Sequence, residues 1–175
     1  TSATQAVDPR LVDIQRIEAL PGPQGALFGS SSQSGALRII PNVPDNSSAY
    51  GEVNTGVSTI NKGGKSHYVE AYANTPIIED KLSIRTVVFD SKDGGYIDNV
   101  FGTNIFSDDD NSNVVEKDFN EWEQKGARVT ALWSVNDSWD VNLMVMQQDQ
   151  HSKGDWLSDP GAPGLDDLEI VRFHK

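Results

Sequence analysis

With 175 residues, 37% of them hydrophobic, a formal net charge of −12 and no cysteine, the chain is long enough for one ordinary domain. The absent thiols exclude disulfides, thiol catalysis and zinc-thiolate sites, and the acidic balance argues against nucleic acid, whose phosphates need a basic surface. No run reaches the roughly 18 uninterrupted apolar residues of a membrane-spanning helix, yet a mean hydropathy of −0.46 suits a membrane β-barrel, whose strands turn only one apolar face to lipid.

The chain opens on Thr1 rather than Met and stops at Lys175 just after an apolar-polar run has begun, so it is expected to be an internal piece of a longer protein. A piece of that kind would lack a signal peptide, and none is visible. Residues 1–42 are Gly-rich and lightly charged. Alternation in Leu11 to Leu20 predicts a short strand over 15–20, which Pro21-Gly22-Pro23 breaks because proline removes a ladder donor and glycine permits the turn. Gln24 to Gly29 fits one helical turn stopped by Gly29, and after the small polar stretch Ser30, Ser31, Ser32, Gln33, Ser34 a second strand is predicted from Gly35 to Ile40. Pro41 and Pro44 close it, and 43–48 reads as a linker.

From residue 49 the pattern has period two, as in strands with one apolar and one polar face. Strands are predicted over 50–60, 66–76, 82–90, 126–135 and 139–149. In the third, for example, Leu82, Ile84, Thr86 and Val88 oppose Ser83, Arg85 and Phe89. Ordinary soluble strands average nearer ~5–6 residues, whereas these approach the ~9–11 of a tilted strand crossing a bilayer. Connections at 77–81 and 136–138 are short, and those at 92–125 and 150–167 are long, the alternation of an outer-membrane barrel. The turn Asn61 to Lys65 would be one short outer loop. Tyr50, Trp122, Trp133 and Trp139 fall near strand ends, where amphipathic rings favour the lipid-water boundary, although buried aromatics of a soluble sandwich would be placed similarly.

The segment from Asp13 to Gly29, DIQRIEALPGPQGALFG, resembles the plug of TonB-dependent outer-membrane receptors. That family usually has Arg-Ile-Glu-Val, then Gly-Pro-Gln-Gly, then a hydrophobic or aromatic residue and Gly, followed by a Gly-Ala-Ile strand. Arg16, Ile17, Glu18, Gly22, Pro23, Gln24, Gly25, Gly29, Gly35 and Ala36 stand at matching positions. Pro76 to Arg85 looks like the family's second barrel strand turning into its third, and Asp93 to Asn99 like the start of the next outer loop. Two departures stand out: Pro21 occupies a position where the family most often has Arg, and Arg38 one where Asn is common. The usual plug-to-barrel ion pair therefore cannot be carried over, and Arg16 and Glu18 are the charged plug candidates for such pairing, or else solvated strand charges.

Other chemistry is poorly supported. Gly22, Gly25 and Gly29 form no phosphate-cradling motif, and the serines lack a nucleophile elbow. His67, His151 and His174 have no partners at metal-ligand spacing, so no metal site is expected. The acidic loop with Asp108, Asp109, Asp110, Glu116 and Asp118 lacks the Gly and Glu of a calcium loop and is expected to be solvated and mobile. A functional acidic loop would instead favour a cationic ligand, or divalent ions bridging to lipopolysaccharide.

The resemblance implies a mainly β fold: a partial antiparallel transmembrane β-barrel, from a 22-stranded plugged barrel, preceded by the C-terminal part of a small α/β plug. Residues 1–42 would be plug, 43–48 linker, and 49–175 the first five strands and the start of a sixth. It further implies a Gram-negative outer-membrane location and import of a scarce nutrient, an iron-siderophore complex first by base rate. The expected partners are the TonB–ExbB–ExbD energising complex, lipid and lipopolysaccharide, with no bond chemistry and no cofactor. Substrate contacts would come from Ser30 to Ser34 and loop residues 93–121. The alternative is a secreted soluble β-sandwich acting as a carbohydrate-binding or adhesion module.

Overall fold

The computed structural model describes residues 9–25, 35–104, 106–107, 109–154, 158 and 164–173. Its elements are strands: β1 (Ile14–Pro21), β2 (Gly35–Pro41), β3 (Tyr50–Thr59), β4 (Lys65–Ile78), β5 (Leu82–Asp93), β6 (Asp98–Asn99), β7 (Trp122–Asn136), β8 (Trp139–Ser152) and β9 (Glu169–Ile170). They form an antiparallel β1-β2 pair, a five-stranded sheet in the order β3-β4-β5-β7-β8, and a parallel β6-β9 pair. Neighbours in the large sheet run antiparallel. A Cβ on Gly51 would meet Tyr72 and Ala73 and one on Gly56 would meet Tyr68, while Ser134 N donates to Lys81 O and Ser91 Oγ to Gln124 O, so one index rises as the other falls. The first strand and the five long ones lie where alternation predicts them; β3 stops one residue short of its predicted end, and β4, β5, β7 and β8 run three to five residues longer than predicted. The sixth long strand is different. Its expected start is the two-residue β9, which pairs with β6 and is not a member of the five-stranded sheet.

Two compact units divide the chain, the first comprising Thr1–Glu52, Tyr72–Val87 and Arg128–Val145. In it β1 and β2 pair from Ile14↔Pro41 to Pro21↔Gly35, with one irregularity between Ile14 and Arg16. Gly35 is required at this hairpin: its φ is +138°, and a Cβ there would lie 2.6 Å from Leu20 O. The segment 43–48 is a pinned connection. Asn74, buried on β4, donates through Nδ2 to Asp45 O (2.9 Å) and Ser48 O (2.7 Å) and accepts from Asp45 N (2.9 Å). Asn46 accepts from Ser83 Oγ and donates to Ser134 Oγ.

On β4, β5 and β7 of this unit the buried side chains are mostly polar, with Val87 beside them, and β8 is exposed on both faces. Asn74, Ser83, Arg85, Arg128 and Thr130 are buried, while Val129, Trp133, Val135, Val141, Leu143 and Val145 are exposed. A soluble sandwich requires the reverse, since its apolar faces seal the core.

The second unit comprises Val53–Ala71, Val88–Ala127 and Met146–Lys175. Its exposed strand positions include Val53, Val57 (89% exposed), Val69 and Val88 beside polar ones such as Asn54, His67 and Lys125, whereas Ser91 and Gln124 are buried together with Phe89. In the long connection after β5 the described acidic residues of the expected solvated loop, Asp109, Asp110, Glu116 and Asp118, are exposed or half-buried, and an ordered framework lies beneath them. Ile97, Val114 and Phe119 form a small core, and three buried asparagines satisfy backbone that no ladder reaches. Asn99 Nδ2 donates to Val114 O (2.8 Å) and its Oδ1 accepts from Arg172 N (2.8 Å). Asn111 Nδ2 donates to Val100 O (2.8 Å) and Arg172 O (3.0 Å), while its Oδ1 accepts from Gly102 N. Asn120 Oδ1 accepts from the amides of Tyr96 and Ile97 (2.7 and 2.8 Å).

Candidate functional site

Asp13 precedes β1 in the left-handed region, at φ 55°, a conformation Asp tolerates better than most residues. Its side chain is 1% exposed and meets two guanidiniums from different strands, Arg85 on β5 (5% exposed) and Arg128 on β7 (7% exposed). Arg85 grips the carboxylate with both prongs, Nε to Oδ2 and Nη2 to Oδ1, each at 2.7 Å. Asn42, just past β2, donates to Oδ1 at 2.7 Å, and Arg128 Nη2 reaches Oδ2 at 3.2 Å. Arg128 Nη2 also donates to the carbonyls of Val12 (3.2 Å) and Asp13 (2.9 Å). Period two explains the geometry: Arg85 and Arg128 occupy the buried parity of their strands, so both project from the same kind of position as Ser83 and Thr130.

Arg85 is also braced by aromatic rings. Its Cζ lies 4.4 Å from the Tyr72 ring centroid and 5.4 Å from that of Tyr50, whose hydroxyl accepts from Nη1 at 3.1 Å. Tyr50 is thus engaged with the arginine. Trp133 and Trp139 are exposed beside the 137–138 turn, as boundary aromatics would be. Burial pushes the Asp13 carboxyl upward, but the hydrogen bonds of Arg85 and Asn42 and the charges of both arginines outweigh it and hold it below the ordinary range.

The residues singled out on the sequence lie elsewhere. Arg16 pairs with Glu18 at 2.7 Å and Arg38 with Glu18 at 3.3 Å, all within the β1-β2 sheet and substantially exposed, and the described ion pairs from this part of the chain to β5 and β7 are made by Asp13. Gly22 has φ +84° in open space, Gly25 is likewise uncrowded, and Gln24 Nε2, beside Pro23, donates to Pro21 O at 3.4 Å. Residues 26–29 of the expected helical turn and the stretch Ser30, Ser31, Ser32, Gln33, Ser34 lie outside the described residues, as do Asp108 and His174. Asp13 was legible only as the first letter of the receptor-like segment. Its partners are 72 and 115 positions away.

In the second unit, His67, Asp90, Lys92, Glu123, Lys125, Asp149 and His151 line a groove of about 690 Å³. Lys92 pairs with Glu121 (2.9 Å) and Glu123 (3.3 Å), and Lys153 with Glu116 and Glu121 (3.0 Å each). Burial raises the Glu121 carboxyl, but the two lysines prevail and lower it. Asp110 is used locally, accepting from Ser112 N and Oγ. Among the described residues no group of three or more His, Asp or Glu side chains is arranged to hold a metal ion.

Comparison with known proteins agrees with the receptor-like character of the sequence. A stretch of 49 residues, 28% of the chain, is 45% identical to the Pesticin receptor of Yersinia enterocolitica (serotype O:8 / biotype 1B) and, to the same degree, to that of Yersinia pestis. The match takes in 7% of the length of each relative. No family model matches the chain, and no solved structure matches it. The similarity to these receptors supports, at the level of the family, the resemblance to TonB-dependent outer-membrane receptors.

Proposed function

We propose that the chain is part of a TonB-dependent transporter of a Gram-negative outer membrane, with residues 1–42 belonging to the plug and residues from 49 onward to the barrel wall. The observation that carries this reading is the inverted polarity of the strands: buried Asn74, Ser83, Arg85, Gln124 and Arg128 against exposed Val53, Val57, Val69, Val129, Leu143 and Val145. Hydrocarbon outside and a polar interior demand that arrangement, and water outside penalises it. In this reading Asp13 fastens the plug to the wall through Arg85 and Arg128, and the TonB–ExbB–ExbD complex supplies the force that shifts the plug. The transporter imports a scarce nutrient, an iron-siderophore complex before others, and performs no bond chemistry.

Two measurements on the full-length protein test this. After cell lysis it should remain with detergent-extractable outer membrane through a high-pH wash, and recovery in the soluble periplasmic or secreted fraction would refute the location. Deleting its gene should lower uptake of one nutrient among iron chelates, cobalamin and oligosaccharides. Unchanged uptake of all of them would remove the transport reading.

A further inference from the structure

The Asp13 cluster is charge-unbalanced: two guanidiniums surround one carboxylate, and all three side chains are almost fully buried. The described partners of the arginines divide unequally. Arg85 keeps Tyr50 and Tyr72 whether or not Asp13 is present, because those rings stand on β3 and β4. Every hydrogen bond described for Arg128 goes to Val12 or Asp13. If the segment around Asp13 withdraws, a pre-oriented two-pronged donor and a second cation remain side by side without the carboxylate that pairs with both. Removing one member of a buried pair leaves an uncompensated charge, so that state demands an anion.

We infer that Arg85 and Arg128 form a carboxylate-binding site in the sheet, which Asp13 occupies as a tethered competitor and which a small carboxylate-bearing solute takes when the segment leaves. Recognition follows from geometry. The Nε and Nη2 atoms of Arg85 present the fork that matches a carboxylate bidentately, Tyr72 and Tyr50 hold the fork in place, and Arg128 adds a third donor. Competition also has a thermodynamic sign. A solute that binds only when Asp13 is displaced favours displacement by the factor with which displacement favours its binding. The tether gives Asp13 a high effective concentration, so the resting site excludes dilute anions. The inference rests on the proposed plug only for its occasion, the withdrawal of Asp13. The site itself is a property of the resting cluster.

The test uses the full-length protein in detergent, with Asp13→Gly and acetate as the probe. Glycine accepts the positive φ and deletes the methylene and carboxylate that acetate restores. Acetate, against chloride at equal ionic strength, should raise the melting midpoint of Asp13→Gly by about 3 °C or more at saturation, leave the unaltered protein unmoved, and fail in Asp13→Gly/Arg85→Gln. Equal shifts in all three proteins, or no shift in Asp13→Gly, would overturn the site. If Asp13→Gly does not assemble, Asp13→Ala with formate restores the same carboxylate and is read identically. Because this readout involves neither location nor uptake, a positive result in a protein released in buffer would keep the site and remove the transporter reading. A negative result in a membrane-bound importer would do the opposite.

Discussion

At the residue scale the structure turns on Asp13. A carboxylate with four donors, three of them from two guanidiniums, is stabilising only while all are present, so Asp13→Asn or Arg85→Gln should lower stability by about 3–5 kcal/mol, the usual cost of breaking a buried pair. Differential denaturation of the full-length protein would check this, and a loss near zero would mean that water already reaches the cluster. The pH dependence has a definite sign. Asp13 is held below its ordinary value of 3.8, so the stability it contributes is complete above that value and disappears as pH falls below it. Protease accessibility of residues 9–13, followed from pH 7 downward, should stay flat and rise only under strongly acid conditions. A rise near neutrality would assign the latch to another group. Gly95 provides a second sharp case, since a Cβ there would lie 1.8 Å from Asp118 O. Gly95→Ala must displace the backbone of the long connection.

The element scale separates what the sequence disclosed from what it hid. Alternation located β3, β4, β5, β7 and β8 because side-chain parity in a strand is local information, written in successive residues such as Leu82 to Phe89. The division into parities was legible, with Ser83, Arg85 and Phe89 grouped against Ile84, Thr86 and Val88, and the structure adds that the first group is the buried one. The internal order of the long connection was hidden. Its acidic residues suggested repulsion and solvation, yet it is organised by Asn99, Asn111 and Asn120, whose amides span gaps between backbones distant in sequence. No periodicity announces such residues. Asn111→Ala should therefore open the connection by removing three hydrogen bonds at once, raising hydrogen exchange at Gly102 and Val114 with little change in β4 or β5. Uniform exchange across the strands would show that the connection is not a separate unit. The Asp13 cluster was hidden for the same reason: its members are isolated letters in three distant segments, and only the receptor-like context of Asp13 marked one of them.

At the scale of the whole molecule, the exposed valines and leucines of the strands forecast behaviour in solution. Expressed alone in detergent-free buffer, the 175 residues should aggregate, because open strand edges and apolar faces meet water together. A monodisperse, cooperatively melting monomer under those conditions would contradict the proposed wall. The five-stranded sheet ends on β3 at one side and β8 at the other, and each carries a row of amides and carbonyls that this sheet does not pair. If the proposed wall closes into a cylinder with β3 as its first strand, the neighbour of β3 on that side is contributed by the opposite terminus of the polypeptide. The earliest wall strand to leave the ribosome would then be among the last to find its mate, and a guardian in the periplasm would have to shield that seam until translation and export are complete.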